Sequence, residues 1–136
     1  MKAVLRRLIR FGAVGVIAFA VDAGSLWVAV NHLGLGLYSG RALSFVLAAT
    51  VAWYLNRRFT FGDRGSHGRG HRQWALYLLA SLTGAVANVG TYALLVAFLA
   101  PFARTPTLAV AAGSIAGMLV NFNAYSRFVF RRPPMA

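Results

Sequence analysis

The chain has 136 residues, enough for one compact unit and too few for two ordinary soluble domains. Its apolar fraction is 59%, its mean hydropathy is +0.64 and its charged share is 12%, about half that of a water-soluble domain. Fourteen Lys and Arg face two acids, Asp22 and Asp63, for a net charge of +12. Those cations form short clusters between long uncharged runs, which excludes a nucleic-acid groove with dispersed basic residues and points to bilayer crossing. No cysteine is present, so disulfides, thiolate metal sites and Cys nucleophiles are excluded. His32, His67 and His71 fall in expected loops without metal-ligand spacing, so neither a metal nor another cofactor is expected.

From Phe11 to Val30 the one charged residue is Asp22, and the pattern predicts a first helix over 9–31. The run Asn31-His32-Leu33-Gly34-Leu35-Gly36 reads as a turn. Ala42 to Leu55 is uncharged but short; extension to 38–57 completes a second span, with Arg41 and Arg57 reaching opposite interfaces. Gly62 to Gly70 is a polar, flexible connector. Gln73 to Ala103 carries no charge and predicts a third helix over 73–100. Pro101 to Pro106 breaks the second hairpin, and the fourth helix runs over 106–127. The expected fold is therefore an all-α integral membrane protein, one transmembrane domain over 1–136 with four spans.

Lys2, Arg6, Arg7 and Arg10 precede the first helix, and Arg57, Arg58, Arg64, Arg69 and Arg72 separate the second from the third. Arg127, Arg131 and Arg132 follow the fourth, while only Arg41 and Arg104 fall on the other side. The positive-inside rule then places both termini in the cytoplasm, with the chain in the cell membrane. Trp53, Tyr54, Phe59 and Phe61, with Trp74, Tyr77, Tyr125, Phe128 and Phe130, are expected to form an interfacial belt on that side. A cleaved signal peptide ending near Ala18-Phe19-Ala20 is disfavoured, because the apolar run continues through Trp27 and Val30.

The two hairpins are related by an internal repeat. At an offset of 66, Phe11 falls on Tyr77, Gly15 on Ser81, Ala18 on Gly84 and Asp22 on Asn88. Gly24 and Ser25 then fall on Gly90 and Thr91. At an offset of 69, Arg58-Phe59-Thr60-Phe61 falls on Arg127-Phe128-Val129-Phe130. Both halves start inside, so the hairpins form a parallel repeat about an axis along the membrane normal, with any substrate path near their interface.

Positions 15, 18, 22 and 25, like 81, 84, 88 and 91, share one helix face and are small or polar. Tight helix packing is the plainer account of the small residues, as for the Gly113-to-Gly117 GxxxG below Ala109. Asp22 is different. It lies about 11 residues into the predicted helix, roughly 16 Å deep, where an Asp costs ~2.5–3.5 kcal/mol. It requires a partner such as Asn88 or an Arg, a wet cavity, or a proton. Asn56-Arg57-Arg58 closes the second helix, and Asn121, Asn123, Ser126 and Arg127 close the fourth. Most of these residues suit anchoring on anionic lipid heads. Asn56 beside Arg57 also offers a carboxamide and a guanidinium suited to a phosphate.

The chain resembles the GtrA-like family of four-helix membrane proteins. The likeness rests on Arg10-Phe11 with Val14-Gly15, on Asp22, and on Leu55-Asn56-Arg57-Arg58-Phe59-Thr60-Phe61. It also rests on Asn121-Phe122 followed by Val129-Phe130, and it runs from about residue 7 to 130. The resemblance implies flipping of a polyprenyl-phosphate-linked sugar across the cytoplasmic membrane for cell-surface polysaccharide or glycan synthesis. On that reading Arg10, Arg57 and Arg58 gather the phosphate, Asp22 and Asn88 bond sugar hydroxyls, and Arg41 receives the anion outside. Asn121 and Arg127 stand at the corresponding end of the fourth helix, Arg127 matching Arg58, although Tyr125-Ser126 stands where the family pattern has Asn-Arg.

Two other readings use the same features. A non-transporting anchor would recruit a membrane glycosyltransferase through the basic loop from Arg57 to Arg72. A small proton-coupled drug exporter would use Asp22. An enzyme is not expected, since there is no Ser-His-Asp set, no second acid near Asp22 and no phosphate-cradling loop. Four helices bury only a thin seam, which leaves room for a homodimer.

Overall fold

The structure is a computed structural model that describes residues 2–62 and 70–130. Asp63, Arg64, His67, Arg69, Arg131 and Arg132, and with them most of the predicted connector, lie outside the described residues. The described residues are helical almost throughout: α1 (Lys2–Asn31), α2 (Leu37–Leu55), α3 (Gly70–Phe98), α4 (Ala100–Arg104) and α5 (Pro106–Ala124). One π-helical turn, Asn56–Thr60, continues α2, and another, Tyr125–Val129, continues α5.

α1 begins seven residues before the predicted start. Hydropathy marks where hydrocarbon begins, whereas Lys2 to Ile9 contains only residues that tolerate a helix and no Gly or Pro to stop one. With 30 residues, α1 is about 45 Å long, well beyond the ~30 Å of a bilayer's hydrocarbon. Gly34, at φ +65°, supplies the left-handed residue that turns the chain into α2. The predicted break at Pro101 to Pro106 is instead partly helical. Pro101 sits in the first turn of α4, where its missing N–H costs nothing, and Pro106 does the same for α5.

Among the described residues, three helical stretches are long and apolar enough to cross a membrane: Lys2–Asn31, Gly70–Phe98 and Pro106–Val129. α2 is not among them; Tyr38, Ser39, Arg41, Trp53 and Tyr54 lower the hydropathy of its 19 residues. Val16, Phe19, Val86, Val89 and Phe98 turn outward and are largely exposed, as lipid-facing side chains require.

α1 packs along α2, and α3 along α5, while the two hairpins touch each other more lightly. Small residues allow the close approach within each pair. A Cβ on Gly40 would lie 3.2 Å from Val30, and one on Gly117 would lie 2.7 Å from the Gly84 carbonyl. The hairpins join mainly at one end, through a buried cluster that includes Phe11, Phe61, Tyr77, Tyr125 and Phe130.

Both π turns close in the same way. The Phe61 amide donates to the Asn56 carbonyl, and the Phe130 amide to the Tyr125 carbonyl, each at 2.8 Å. These positions differ by the repeat offset of 69, so the backbone repeats what the sequence repeats.

Candidate functional site

A cavity of about 590 Å³ lies between the two hairpins. It starts at the aromatic cluster, passes small residues of α1 and α3, and reaches Asp22, Asn88 and Arg41. Of the expected stripe, positions 15, 18, 22, 81, 84 and 88 face it from both halves, whereas Ser25 and Thr91 are not part of its lining.

At the closed end, Asn56 is 1% exposed, and its Nδ2 donates to the Tyr77 hydroxyl at 2.8 Å. Tyr77 stacks on Tyr125 at 4.0 Å between ring centroids. Tyr125 also meets the edge of Phe11 at 5.7 Å. Its hydroxyl lies 2.6 Å from Ser81 Oγ. The repeat explains the departure at Tyr125. Asn56 faces a hydroxyl on Tyr77, whereas its counterpart Tyr125 faces the plain ring of Phe11. The Tyr125 ring packs on Tyr77 and Phe11 while its hydroxyl reaches Ser81, a set of contacts that a short carboxamide would not reproduce.

In the middle, a Cβ on Gly15 would meet nothing within 4 Å, so this part of the wall is open. Opposite it, the Asn121 side chain lies over Gly84; a Cβ on that glycine would come within 2.1 Å of Asn121 Oδ1. The buried Oδ1 atoms of Asn56 and Asn121 have no hydrogen-bond partner in the protein. Both residues line the cavity, although these two oxygens are themselves buried.

At the far end Asp22 is ion-paired with Arg41. Ser44 Oγ donates to its other carboxylate oxygen at 2.7 Å. The sequence calls for Asn88 or an Arg as the partner of Asp22, but sets Arg41 at the outer interface. The structure brings them together, because Arg41 folds back along α2 to reach α1. Asn88, the repeat partner of Asp22, lies against Gly113, the repeat partner of Ser44. The same helix contact is thus ionic and hydrogen-bonded in one half and close-packed in the other.

Asn56 and Arg57 do not form one fork. While Asn56 is buried, the Arg57 guanidinium stacks over Trp53 at 5.4 Å and leaves the core. Arg10 and Arg58 line a second recess at the end of the bundle where α1 begins, and Arg127 is exposed near that end. Sequence reasoning missed Ser44, three residues after Arg41, and the hydroxyls of Tyr77 and Tyr125. Ser44 carried a signal, since an i+3 neighbour of an Arg shares its helix face. For the tyrosines, only the match of Tyr77 with Phe11 hinted at a shared place.

These features define a helical, multi-pass membrane protein in which two related hairpins flank a mainly apolar cavity that carries a few polar side chains. The model of the GtrA/DPMS transmembrane-domain family matches residues 10–131, and the chain belongs to that family. None of the curated proteins matches it.

Proposed function

We propose that the protein crosses the cytoplasmic membrane four times, with both termini in the cytoplasm, and translocates a polyprenyl-phosphate-linked sugar without chemical catalysis. The observation that carries this reading is the cavity between the hairpins, walled by Gly15, Ser81, Asn121 and Asn88 and closed by Asp22 with Arg41. A lipid-linked sugar keeps its tail in hydrocarbon while its head seeks polar contacts, and such a seam replaces part of the lost hydration.

The ion pair also supports a fourth crossing. α2 and its π turn together are long enough for ~30 Å of hydrocarbon, and Asp22 offsets the charge that Arg41 would bring there. The basic residues of α1's first turns, of the π turn after α2 and of the start of α3 then all face the cytoplasm. Family membership supports the lipid-linked sugar as cargo.

The test is transport of a fluorescent polyprenyl-phosphate sugar in vesicles holding the purified chain. Asp22→Ala and Arg58→Gln should each slow movement at least about tenfold, the usual loss when a charge-assisted contact to a moving head group is removed. Wild-type rates in both variants would remove these residues from the path. Co-purification of a glycosyltransferase with no lipid movement at all would favour the anchor instead.

A further inference from the structure

A second recess, about 360 Å³, lies between the first turns of α1 and the π turn that follows α2. Arg6, Arg7, Arg10, Arg58, Phe59 and Thr60 line it. Arg6, Arg7 and Arg10 share a helix face by their spacing of three and four, which brings like charges together at an energetic cost. Arg10 Nη1 donates to the Phe59 carbonyl at 3.2 Å and ties α1 to the π turn. Thr60 is only 3% exposed, yet its Oγ1 has no hydrogen-bond partner.

The second half of the repeat has no such recess chemistry. Arg72, Gln73, Leu76, Arg127 and Val129 stand where the first half has Arg6, Arg7, Arg10, Arg58 and Thr60. Gln73 is buried there, with Nε2 donating to the Val129 carbonyl and Oε1 accepting from Trp53, both at 3.3 Å. Its place is structural. Membrane anchoring by basic residues alone would leave no reason for this difference between halves, nor for a buried hydroxyl without a partner.

We propose that this recess binds the phosphate or diphosphate group of an anionic ester, held by Arg6, Arg10 and Arg58, with the Thr60 hydroxyl donating to a non-bridging oxygen. Arginine forks match such oxygens in pairs, and three guanidiniums converge on this recess from two elements. The site is one-sided, so the cargo's head group docks on the first hairpin before it meets the cavity. This assignment rests on the translocation reading for the identity of the lipid, but not for the anion site itself.

The test is binding, not transport, so that its failure is separable from that of the proposed function. The full chain in zwitterionic nanodiscs is titrated with inorganic pyrophosphate in one arm and with polyprenyl phosphate doped into the disc in the other. Binding is expected in the lipid arm, weakened about tenfold or more by the pair Arg6→Gln and Arg58→Gln. Thr60→Val should weaken it several-fold and Thr60→Ser restore it; Val129 shows that valine fits this position of the fold. Arg72→Gln, which removes an exposed cation from the matching place, should change affinity less than twofold.

Pyrophosphate binding with the same variant pattern would show that the anion suffices, and lipid binding alone that the chain contributes; both uphold the site. No binding in either arm, or equal losses from Arg72→Gln and Arg6→Gln, would overturn it. Should Thr60→Val fail to fold, the exposed Arg6 and Arg72 decide the matter alone.

Discussion

Phe61 and Phe130 stack face to face, with ring centroids 4.7 Å apart and planes inclined by 12°. They are the same position of the repeat, so each ring packs on its own symmetry mate, and the pseudo-twofold axis passes between them. Each ring follows a π turn, and each is 1% exposed. Phe61→Ala and Phe130→Ala should therefore destabilise the protein by similar amounts, about 3–5 kcal/mol for a fully buried ring. Thermal unfolding in detergent checks this; a large loss from one variant and none from the other would contradict the shared axis.

The glycines sort by what surrounds them. A Cβ on Gly113 would lie 2.6 Å from the Asn88 carbonyl oxygen, a backbone atom that cannot swing aside, and Gly117 meets the Gly84 carbonyl at 2.7 Å. Gly113→Ala and Gly117→Ala should each cost roughly 1–3 kcal/mol by forcing α5 away from α3. At Gly90 nothing lies within 4 Å, so Gly90→Ala should be neutral or stabilising by up to ~1 kcal/mol through helix propensity. Equal melting temperatures for all three variants would contradict this.

Asn56 serves the core. Tyr77→Phe removes the acceptor of its Nδ2 and leaves a buried donor unpaired, which should cost about 1–3 kcal/mol. Asn56→Ala should cost a similar amount, and the double variant less than the sum of the two. Arg57→Ala, by contrast, loses only a stacking contact on Trp53 and should cost less than about 1 kcal/mol. Melting temperatures of the four variants check the order; an Arg57→Ala loss above that of Asn56→Ala would reverse it.

The Asp22–Arg41 pair predicts non-additivity. Either Asp22→Ala or Arg41→Ala leaves a charge without its partner, whereas the double variant leaves none. Because the Arg41 side chain is 55% exposed, the coupling should be modest, about 1 kcal/mol. A double-mutant cycle on thermal stability measures it, and strictly additive losses would contradict a pair that matters.

Much of this was legible in the sequence. Uncharged runs place the helices, since few residues can contradict hydrocarbon, and the offsets of 66 and 69 pair the helix faces and the two Phe-ending blocks, though not the π geometry those blocks adopt. The start of α1 was not legible, because a helix continues past the bilayer wherever nothing stops it. The need of Asp22 for a partner such as an Arg was legible, but not that Arg41 supplies it: hydropathy assigns each residue a depth, but not which way a long side chain bends. Adjacency misled at Asn56 and Arg57, since neighbours on a helical turn point about 100° apart. The unpartnered hydroxyl of Thr60 depends on its surroundings and is visible only in three dimensions.

The most direct measurement fills the cavity without disturbing the fold. Gly15 faces open space, so Gly15→Phe should leave the melting temperature near that of the wild type while obstructing the passage between hairpins. In vesicles, the wild-type chain should move a polyprenyl-phosphate sugar between leaflets, and Gly15→Phe should reduce that movement to the protein-free rate. Unchanged movement in a folded Gly15→Phe protein would show that the head group takes another way.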